Sequence, residues 1–161
     1  MAKPFTSRKS WREKLESQDH FKIIEIPPRM TKRMGTGTML IPKPKDVDAV
    51  IKKAKKGQLL TVTEIRSKLA RDNKTDVTCP ITTGIFVRIV AEAAEEALRE
   101  GKKQVTPYWR VLKFDGSLHE NFPGGVKAQS RRLKEEGHAI TPAKGKKPPK
   151  VKDFESSLLR L

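Results

Sequence analysis

The run from Pro107 to Val111, Pro-Tyr-Trp-Arg-Val, places a phenol, an indole and a guanidinium side by side in the sequence. Aromatic rings can form the floor of a pocket, because a flat ligand such as a nucleic-acid base stacks on them. Tyr108 and Trp109 are therefore candidate base-contacting residues. Packing of both rings in a hydrophobic core is the alternative.

Cys79 is the single cysteine and the second residue whose type could do chemistry. It comes directly before a predicted helix, and a helix N-terminus favours the thiolate form that attacks electrophiles. An enzyme that uses Cys79 is therefore one hypothesis, and a buried cysteine without a chemical role is the other. One cysteine excludes a disulfide framework and a cysteine-based zinc site, and the three histidines show no ligand spacing, so we expect neither metal nor cofactor.

Positive charge dominates the composition, with 35 Lys and Arg against 19 Asp and Glu, a formal net charge of +16 and a pI of about 10.1. Such an excess favours polyanions as partners, because each neutralised phosphate releases condensed counterions. Nucleic acid is the first candidate, an anionic membrane surface the second and RNA-rich surroundings the third. Hydrophobic residues make up 35% of the 161 residues, which suffices for one modest core.

The residues that follow Phe5 are polar and charged, and no stretch approaches the roughly 20 apolar residues of a membrane span. We therefore expect a soluble, cytoplasmic protein without a membrane partner, associated with the nucleoid if the source is bacterial.

Residues 1–40 are predicted to form a basic N-terminal extension. Ser10 followed by Glu13 is typical of a capped helix start, and a short strand is expected before Pro27. The glycine-rich segment 34–39 lacks the Gly-Lys-Ser/Thr of a phosphate-binding loop, so we interpret it as a flexible linker.

Residues 41–140 are predicted to form one compact domain, because apolar residues recur there at helical spacing. Asp46 and Thr63 are expected to cap two helices. A longer helix is expected over about Pro80–Arg99, with Ile85 on its inner face. Two helices joined by a turn, the second with a small polar tip, form the pattern of a helix-turn-helix.

The predicted DNA contacts lie at the tip of this long helix and on basic faces near it. They are Thr82, Thr83, Gly84, Arg88, Lys52, Lys56, Arg66, Lys68 and Arg110. Further along, Asp115-Gly116 indicates a β-hairpin, and a last helix is expected from about Val126 to Glu136. Residues 141–161 are predicted to be a solvated basic C-terminal tail, whose apolar end could dock as a short helix.

An ordered set of short motifs between Asp46 and His138 is similar to a known family. The motifs are Lys56-Gly57-Gln58-Leu59-Leu60-Thr61, Glu64-Ile65, Pro107 with Arg110-Val111, Asp115-Gly116-Ser117-Leu118, Pro123-Gly124-Gly125 and Glu136-Gly137-His138. In this order they resemble the DNA-binding domain of the alkylguanine-DNA alkyltransferase (methylated-DNA–protein-cysteine methyltransferase) family, including its alkyltransferase-like branch. The resemblance implies a mainly α fold, a winged helix-turn-helix-like domain with a small β-hairpin, and basic extensions at both ends.

The departures from the family concern its chemistry. Tyr108 stands where the family has its alkyl-accepting cysteine, Trp109 where it has the activating histidine, and Val62 where it has the tyrosine that flips the base. The glutamate that orients the histidine is kept as Glu136, and the helix tip has no arginine before Arg88. A phenol, with a pKa of about 10, is a poor substitute for a thiolate. The alkyltransferase-like branch usually keeps a histidine after its tryptophan, so the chain departs from that branch too.

The resemblance therefore implies a non-catalytic, monomeric protein that binds double-stranded DNA and recognises alkylated or damaged bases. The residues implied for a base pocket are Tyr108, Trp109, Val62, Phe122, Pro123, Gly124 and Glu136. Two alternatives stay open. One is a cysteine-dependent alkyl acceptor that uses Cys79, and the other is an RNA- or protein-interaction module, with a protein partner bound through the C-terminal tail.

Overall fold

Short strands and helices of very different length alternate in the computed structural model, which describes residues 10–17 and 21–161. The helices are α1 (Trp11–Leu15), α2 (Thr31–Met34), α3 (Pro44–Ile51), α4 (Val62–Asp72), α5 (Pro80–Arg99) and α6 (Gly125–Glu135). The strands are β1 (Lys22–Glu25), β2 (Thr38–Ile41), β3 (Leu60–Thr61), β4 (Val77–Thr78), β5 (Val111–Leu112), β6 (Ile140–Thr141) and β7 (Lys150–Val151). Single 3₁₀ turns cover Pro28–Met30, Tyr108–Arg110 and Phe154–Ser157. The fold is thus mixed, with helix predominating over strand.

Two helices begin earlier than the sequence suggested. Helix α4 is capped by Thr61 rather than Thr63, because the Thr61 amide donates to Glu64 over 2.8 Å and completes a capping box. Asp46 is the third residue of α3 rather than its cap, and it accepts a 2.9 Å hydrogen bond from the Lys43 amide. Asp46 thus belongs to a capping box, although not as its first member, whereas the prediction of Thr63 as a cap is wrong because Thr63 lies inside α4.

Helix α5 has the predicted bounds and forms the centre of the main core. Its buried face includes Phe86, Val87 and Val90, which pack with residues of α3 and α4. The prediction that Ile85 faces inward is wrong, because this side chain is 55% exposed. The first half of α5 is apolar on several sides, so its partners in space decide which side is buried.

The N-terminal segment is built into the fold from α1 onward. Helix α1 packs against α5, and β1 pairs antiparallel with β2, which pairs parallel with β4. The predicted domain boundary between residues 40 and 41 falls inside β2, where Leu40 is fully buried. The segment interpreted as a flexible linker is instead paired, since the Gly37 carbonyl accepts from the Ile26 amide at 2.9 Å.

The C-terminal segment also differs from a solvated arm. Strands β6 and β7 pair antiparallel, and Val151 and Phe154 are buried in a second hydrophobic cluster. The turn at Gly116 forms as predicted, with the Gly116 amide donating to Lys113. The predicted hairpin ladder does not follow from it, because β5 pairs parallel with β3.

Within residues 10–17 and 21–161, no helix combines the length and apolar character needed to cross a bilayer. The same residues contain no group of three or more His, Cys, Asp or Glu side chains placed to hold a metal ion.

Candidate nucleic-acid interface

The N-terminal half of α5 presents a ridge that residues 10–17 and 21–161 leave uncovered. Ile81 is 63% exposed and Ile85 is 55% exposed, and Gly84 and Arg88 lie exposed beside them. These positions recur every three or four residues, so they share one face of the helix. We call Ile81, Gly84, Ile85 and Arg88 the α5 ridge.

The two threonines predicted at this tip do not belong to the ridge. Thr83 is fully buried, and its hydroxyl donates a 2.7 Å hydrogen bond to the Cys79 carbonyl. The Thr82 hydroxyl lies 3.2 Å from the Cys79 sulfur and is half-buried. Both side chains therefore close the first turn of the helix, and of the predicted tip residues only Gly84 and Arg88 are exposed.

A groove of about 630 Å³ runs along one side of the ridge; its walls include Trp11, Lys14, Ile85, Arg88, His119 and Phe122. We call it the α1–α5 groove. His119 stacks on Phe122 with ring centroids 4.3 Å apart. No described residue gives the buried Nε2 of His119 a hydrogen-bond partner. Burial and the neighbouring Lys113 lower the pKa of His119 to about 4, so its imidazole is neutral at pH 7.

A second groove of about 550 Å³ lies on the other side of Ile81 and is lined by Arg29, Arg33 and Arg66. We call it the arginine groove. Arg29 and Arg33 are exposed and sit four residues apart, before and within α2. The predicted DNA contacts do not include Arg29 or Arg33, because basic composition predicts an extension over residues 1–40. Their i, i+4 spacing is the signal that could have identified them.

Several cations predicted to contact DNA have partners within the protein. Lys52 pairs with Asp48 at 3.0 Å, and Lys68 pairs with Asp72 at 2.8 Å. Arg66 donates to the Thr78 carbonyl at 3.0 Å, and burial lowers its pKa. Lys56 is exposed. The predicted basic surface around α3 and α4 is thus partly neutralised, and the arginine groove lies nearer the ridge.

Tyr108 is a core residue rather than a pocket floor, with 2% of its surface exposed. Its hydroxyl donates to Glu95 over 2.6 Å, and its ring meets those of Trp109 and Phe122 edge-on, each at 5.4 Å. Burial, followed by the hydrogen bond to Glu95, raises the pKa of Tyr108. A protonated, enclosed phenol cannot act as a nucleophile.

The next two residues, Trp109 and Arg110, belong to a network of hydrogen bonds and ion pairs around Glu136. Arg110 Nη2 lies 2.7 Å from Glu136, and Arg110 Nη1 donates to the Ala54 carbonyl at 2.6 Å. The Trp109 indole donates to Glu136 at 3.0 Å, and Arg132 lies over the Trp109 ring at 4.3 Å. Burial opposes ionisation of Glu136, but the hydrogen bonds from Arg110 and Trp109 leave its pKa lowered. Arg110, predicted to contact DNA, is therefore committed to the interior.

The other predicted pocket residues surround this network without enclosing an open site. Phe122 is 4% exposed, and Val62 packs partly buried against the main core. Pro123 is half-buried, and Gly124 caps α6 at a positive φ of 77°, where a Cβ would lie 2.6 Å from that of Ala128. The structure brings Tyr108, Trp109 and Phe122 together as packing.

Cys79 does not lie on the interface. It is 5% exposed and packs in a small cluster with Ile26 and Met39, directly before α5. An attack on an alkylated base would require this thiol to leave its cluster, so the structure does not support the acceptor hypothesis.

Comparison with models of protein families and with curated proteins finds no match. Among solved structures, the chain is similar to S. pombe Atl1 in its crystal structure with damaged DNA containing O6-carboxymethylguanine. The two share 18% identity at a TM-score of 0.48, over 73% of this chain and 94% of that chain. Atl1 is an alkyltransferase-like protein, the branch that the sequence motifs resemble.

Proposed function

We propose that this chain is a non-catalytic protein that binds double-stranded DNA by inserting the α5 ridge into the major groove. The observation that carries the proposal is the pair Ile81 and Ile85, which are exposed by 63% and 55% on a helix whose opposite face is buried in the main core. A major groove about 12 Å wide admits one helix. The net charge of +16 supplies the electrostatic attraction to the backbone.

The side chains of the ridge suit base edges, and those beside it suit phosphates. Arg88 can donate two hydrogen bonds to guanine, and Ile81 and Ile85 can contact thymine methyl groups. Arg29 and Arg33 in the arginine groove are placed to neutralise phosphates on one flank. This arrangement replaces the threonine tip expected from sequence.

We further propose that the protein recognises an alkylated or otherwise damaged base. The α1–α5 groove adjoins the ridge, and its volume of about 630 Å³ falls in the range of small-molecule sites. His119 stacks on Phe122 at its wall, and a local movement of these two rings would let the buried, unpartnered Nε2 of His119 accept a hydrogen bond from a base. No cysteine is among the residues that line the groove, which favours binding over alkyl transfer to a thiolate.

The ridge is tested by Ile85→Glu, measured by fluorescence anisotropy with a plain duplex, a single strand and a double-stranded RNA. We expect Ile85→Glu to weaken duplex binding at least about tenfold, because a carboxylate would face the phosphate field. Ile23→Glu on β1 is the matched control, since Ile23 is 49% exposed away from both grooves. Equal affinity of wild type and Ile85→Glu would overturn the proposal, and tighter binding to RNA would assign the ridge to RNA.

Lesion recognition is tested separately, with duplexes that differ only in one O6-alkylated guanine. We expect the modified duplex to bind more tightly to wild type and the difference to shrink in His119→Asn. Equal binding of the two duplexes would remove the lesion part and leave duplex binding standing. A covalent mass adduct on the protein would contradict the non-catalytic role.

A further inference from the structure

The outer face of α6 carries three exposed cations that have no ion-pair partner among the described residues. Lys127, Arg131 and Lys134 lie at i, i+4 and i+7 and are exposed, while Gln129 and Leu133 point into the core. None of the three cations forms an ion pair with any described residue. They therefore form a continuous basic stripe along one side of the helix.

A second group of cations lies on the β6–β7 connection. Lys144, Lys146 and Lys147 are exposed on a tight turn in which Lys144 and Lys147 exchange backbone hydrogen bonds of 3.1 and 3.0 Å. The turn is anchored on its far side, since the Pro149 carbonyl accepts from the Leu118 amide at 2.9 Å. These charges are positioned by backbone structure and do not hang on a free arm.

The α6 stripe borders a groove of about 660 Å³ with an apolar floor, and Pro142 and Pro149, which precede and follow the Lys144–Lys147 turn, also line it. Lys127, Arg131 and Lys134 line one wall, and Ile140 and Pro149 line the other. Such a floor supports the aliphatic stems of lysine while the ammonium groups stay in water. The groove shares no lining residue with the α1–α5 groove or the arginine groove.

The charge of this region is strongly one-sided. Residues 126–150 contain eight Lys and Arg and two Asp and Glu. Arg132 forms an ion pair with Glu95, and Glu136 forms one with Arg110. Glu135 is therefore the remaining acidic residue among the exposed cations of this segment. Over the roughly 10 Å from Lys127 to Lys134, one strand of a duplex carries about three phosphates. The cation density therefore matches a phosphate backbone.

We propose that Lys127, Arg131, Lys134 and the Lys144–Lys147 turn, the α6 basic face, bind the backbone of a second DNA duplex. The face makes no base contact and is indifferent to sequence. Binding by this face is independent of the α5 ridge. The bridging of two duplexes rests on the proposed function of the ridge, which would hold the first.

A capture experiment on the full chain tests this inference. A short duplex is immobilised on beads, the protein is added, and the retention of a second, labelled duplex is measured. The variant is Lys127→Gln/Arg131→Gln/Lys134→Gln, and the matched control is Arg99→Gln/Lys102→Gln/Lys103→Gln, which removes the same charge from exposed residues at the far end of α5. We expect the α6 variant to stay on the beads but to retain about tenfold less labelled duplex, because three phosphate contacts are lost.

Retention of the labelled duplex by the α6 variant at the wild-type level would overturn the inference, as would an equal loss in the control. Failure of wild type to capture the labelled duplex would also overturn it. If polyglutamate displaces the labelled duplex more effectively than unlabelled duplex does, the face belongs to an acidic protein partner instead. Loss of bead binding in the α6 variant, with none in Ile85→Glu, would overturn the role of the ridge and leave the basic face as the DNA site.

Discussion

The hydroxyl of Tyr108 and the guanidinium of Arg132 both donate to the same oxygen of Glu95, at 2.6 and 2.9 Å. One carboxylate on α5 thereby ties the 3₁₀ turn of Tyr108 to α6. In the family that the sequence resembles, the position of Tyr108 belongs to the nucleophile. Here its side chain contributes a structural link between three elements of the fold instead of a nucleophile.

The phenol of Tyr108 should not ionise in the folded protein at its usual pH. Burial and the carboxylate of Glu95 raise its pKa, because both disfavour a phenolate. Tyr108 is the single tyrosine, so phenolate absorbance during an alkaline titration reports this residue alone. We expect the signal to appear together with loss of circular dichroism. A phenolate transition near the ordinary pKa of about 10, in protein that is still folded, would contradict the buried link.

Arg110→Ala should destabilise the protein far more than a surface substitution. It leaves Glu136, whose side chain is 9% exposed, without its ion-pair partner, and it frees the Ala54 carbonyl. Removing one member of a buried pair typically costs about 3–5 kcal/mol. Urea unfolding measures the loss, and Arg131→Ala, an exposed arginine on α6, is the control. A loss below about 1 kcal/mol would show that the network is solvated.

The sequence predicted α5 well because Pro80 fits a first helical position and apolar residues continue to its end. It could not predict the outer face, since Ile81 and Ile85 follow the same pattern as buried residues. Which isoleucine is covered depends on α1, α3 and α4, and those contacts are distant in sequence. The same holds for Tyr108 and Glu95, whose pairing required the turn and the helix to be placed first.

The two terminal segments differ from their predictions for another reason. Basic composition predicted an extension at each end of the domain, the C-terminal one solvated, but buried apolar residues anchor both segments. Leu40, which lies beside the buried Met39 in β2, and Phe154, which lies between Asp153 and Glu155, are both buried. A high density of charged residues in a segment therefore does not exclude that an apolar residue within it is buried.

Phe154→Ala should therefore destabilise the whole domain. The Phe154 ring is 7% exposed and lies so close to Gly116 that a Cβ there would collide with it. Truncating a buried phenylalanine costs about 3–5 kcal/mol through lost burial and the cavity left behind. Phe114→Ala, at a ring that is 72% exposed, is the matched control. Equal unfolding midpoints for the two variants would show that the C-terminal segment is not docked.

Salt dependence should separate the cations chosen by structure from those chosen by sequence. Arg29→Gln/Arg33→Gln should flatten the slope of log affinity against log salt by about 2, since each phosphate contact contributes about 0.9. Lys52→Gln/Lys68→Gln removes the same charge from residues paired with Asp48 and Asp72, and should change the slope little. Anisotropy titrations over a series of salt concentrations provide both slopes. The reverse order would place the backbone along α3 and α4 instead of the arginine groove.

His119 should make the protein less stable as the pH falls below neutral. Its pKa is about 4 in the folded state, because burial and Lys113 disfavour the imidazolium, against about 6.5 in the unfolded chain. The unfolded chain thus binds more protons between these values, so the stabilisation is complete above pH of about 6.5 and declines toward pH of about 4. The full decline amounts to roughly 3 kcal/mol at most.

His119→Asn lacks the titration, and contributions from Glu136 and His138 cancel in the comparison. We expect the difference in unfolding free energy between wild type and His119→Asn to shrink as the pH is lowered, measured by urea denaturation. A difference that does not change with pH would mean that the imidazole is hydrated in the folded protein.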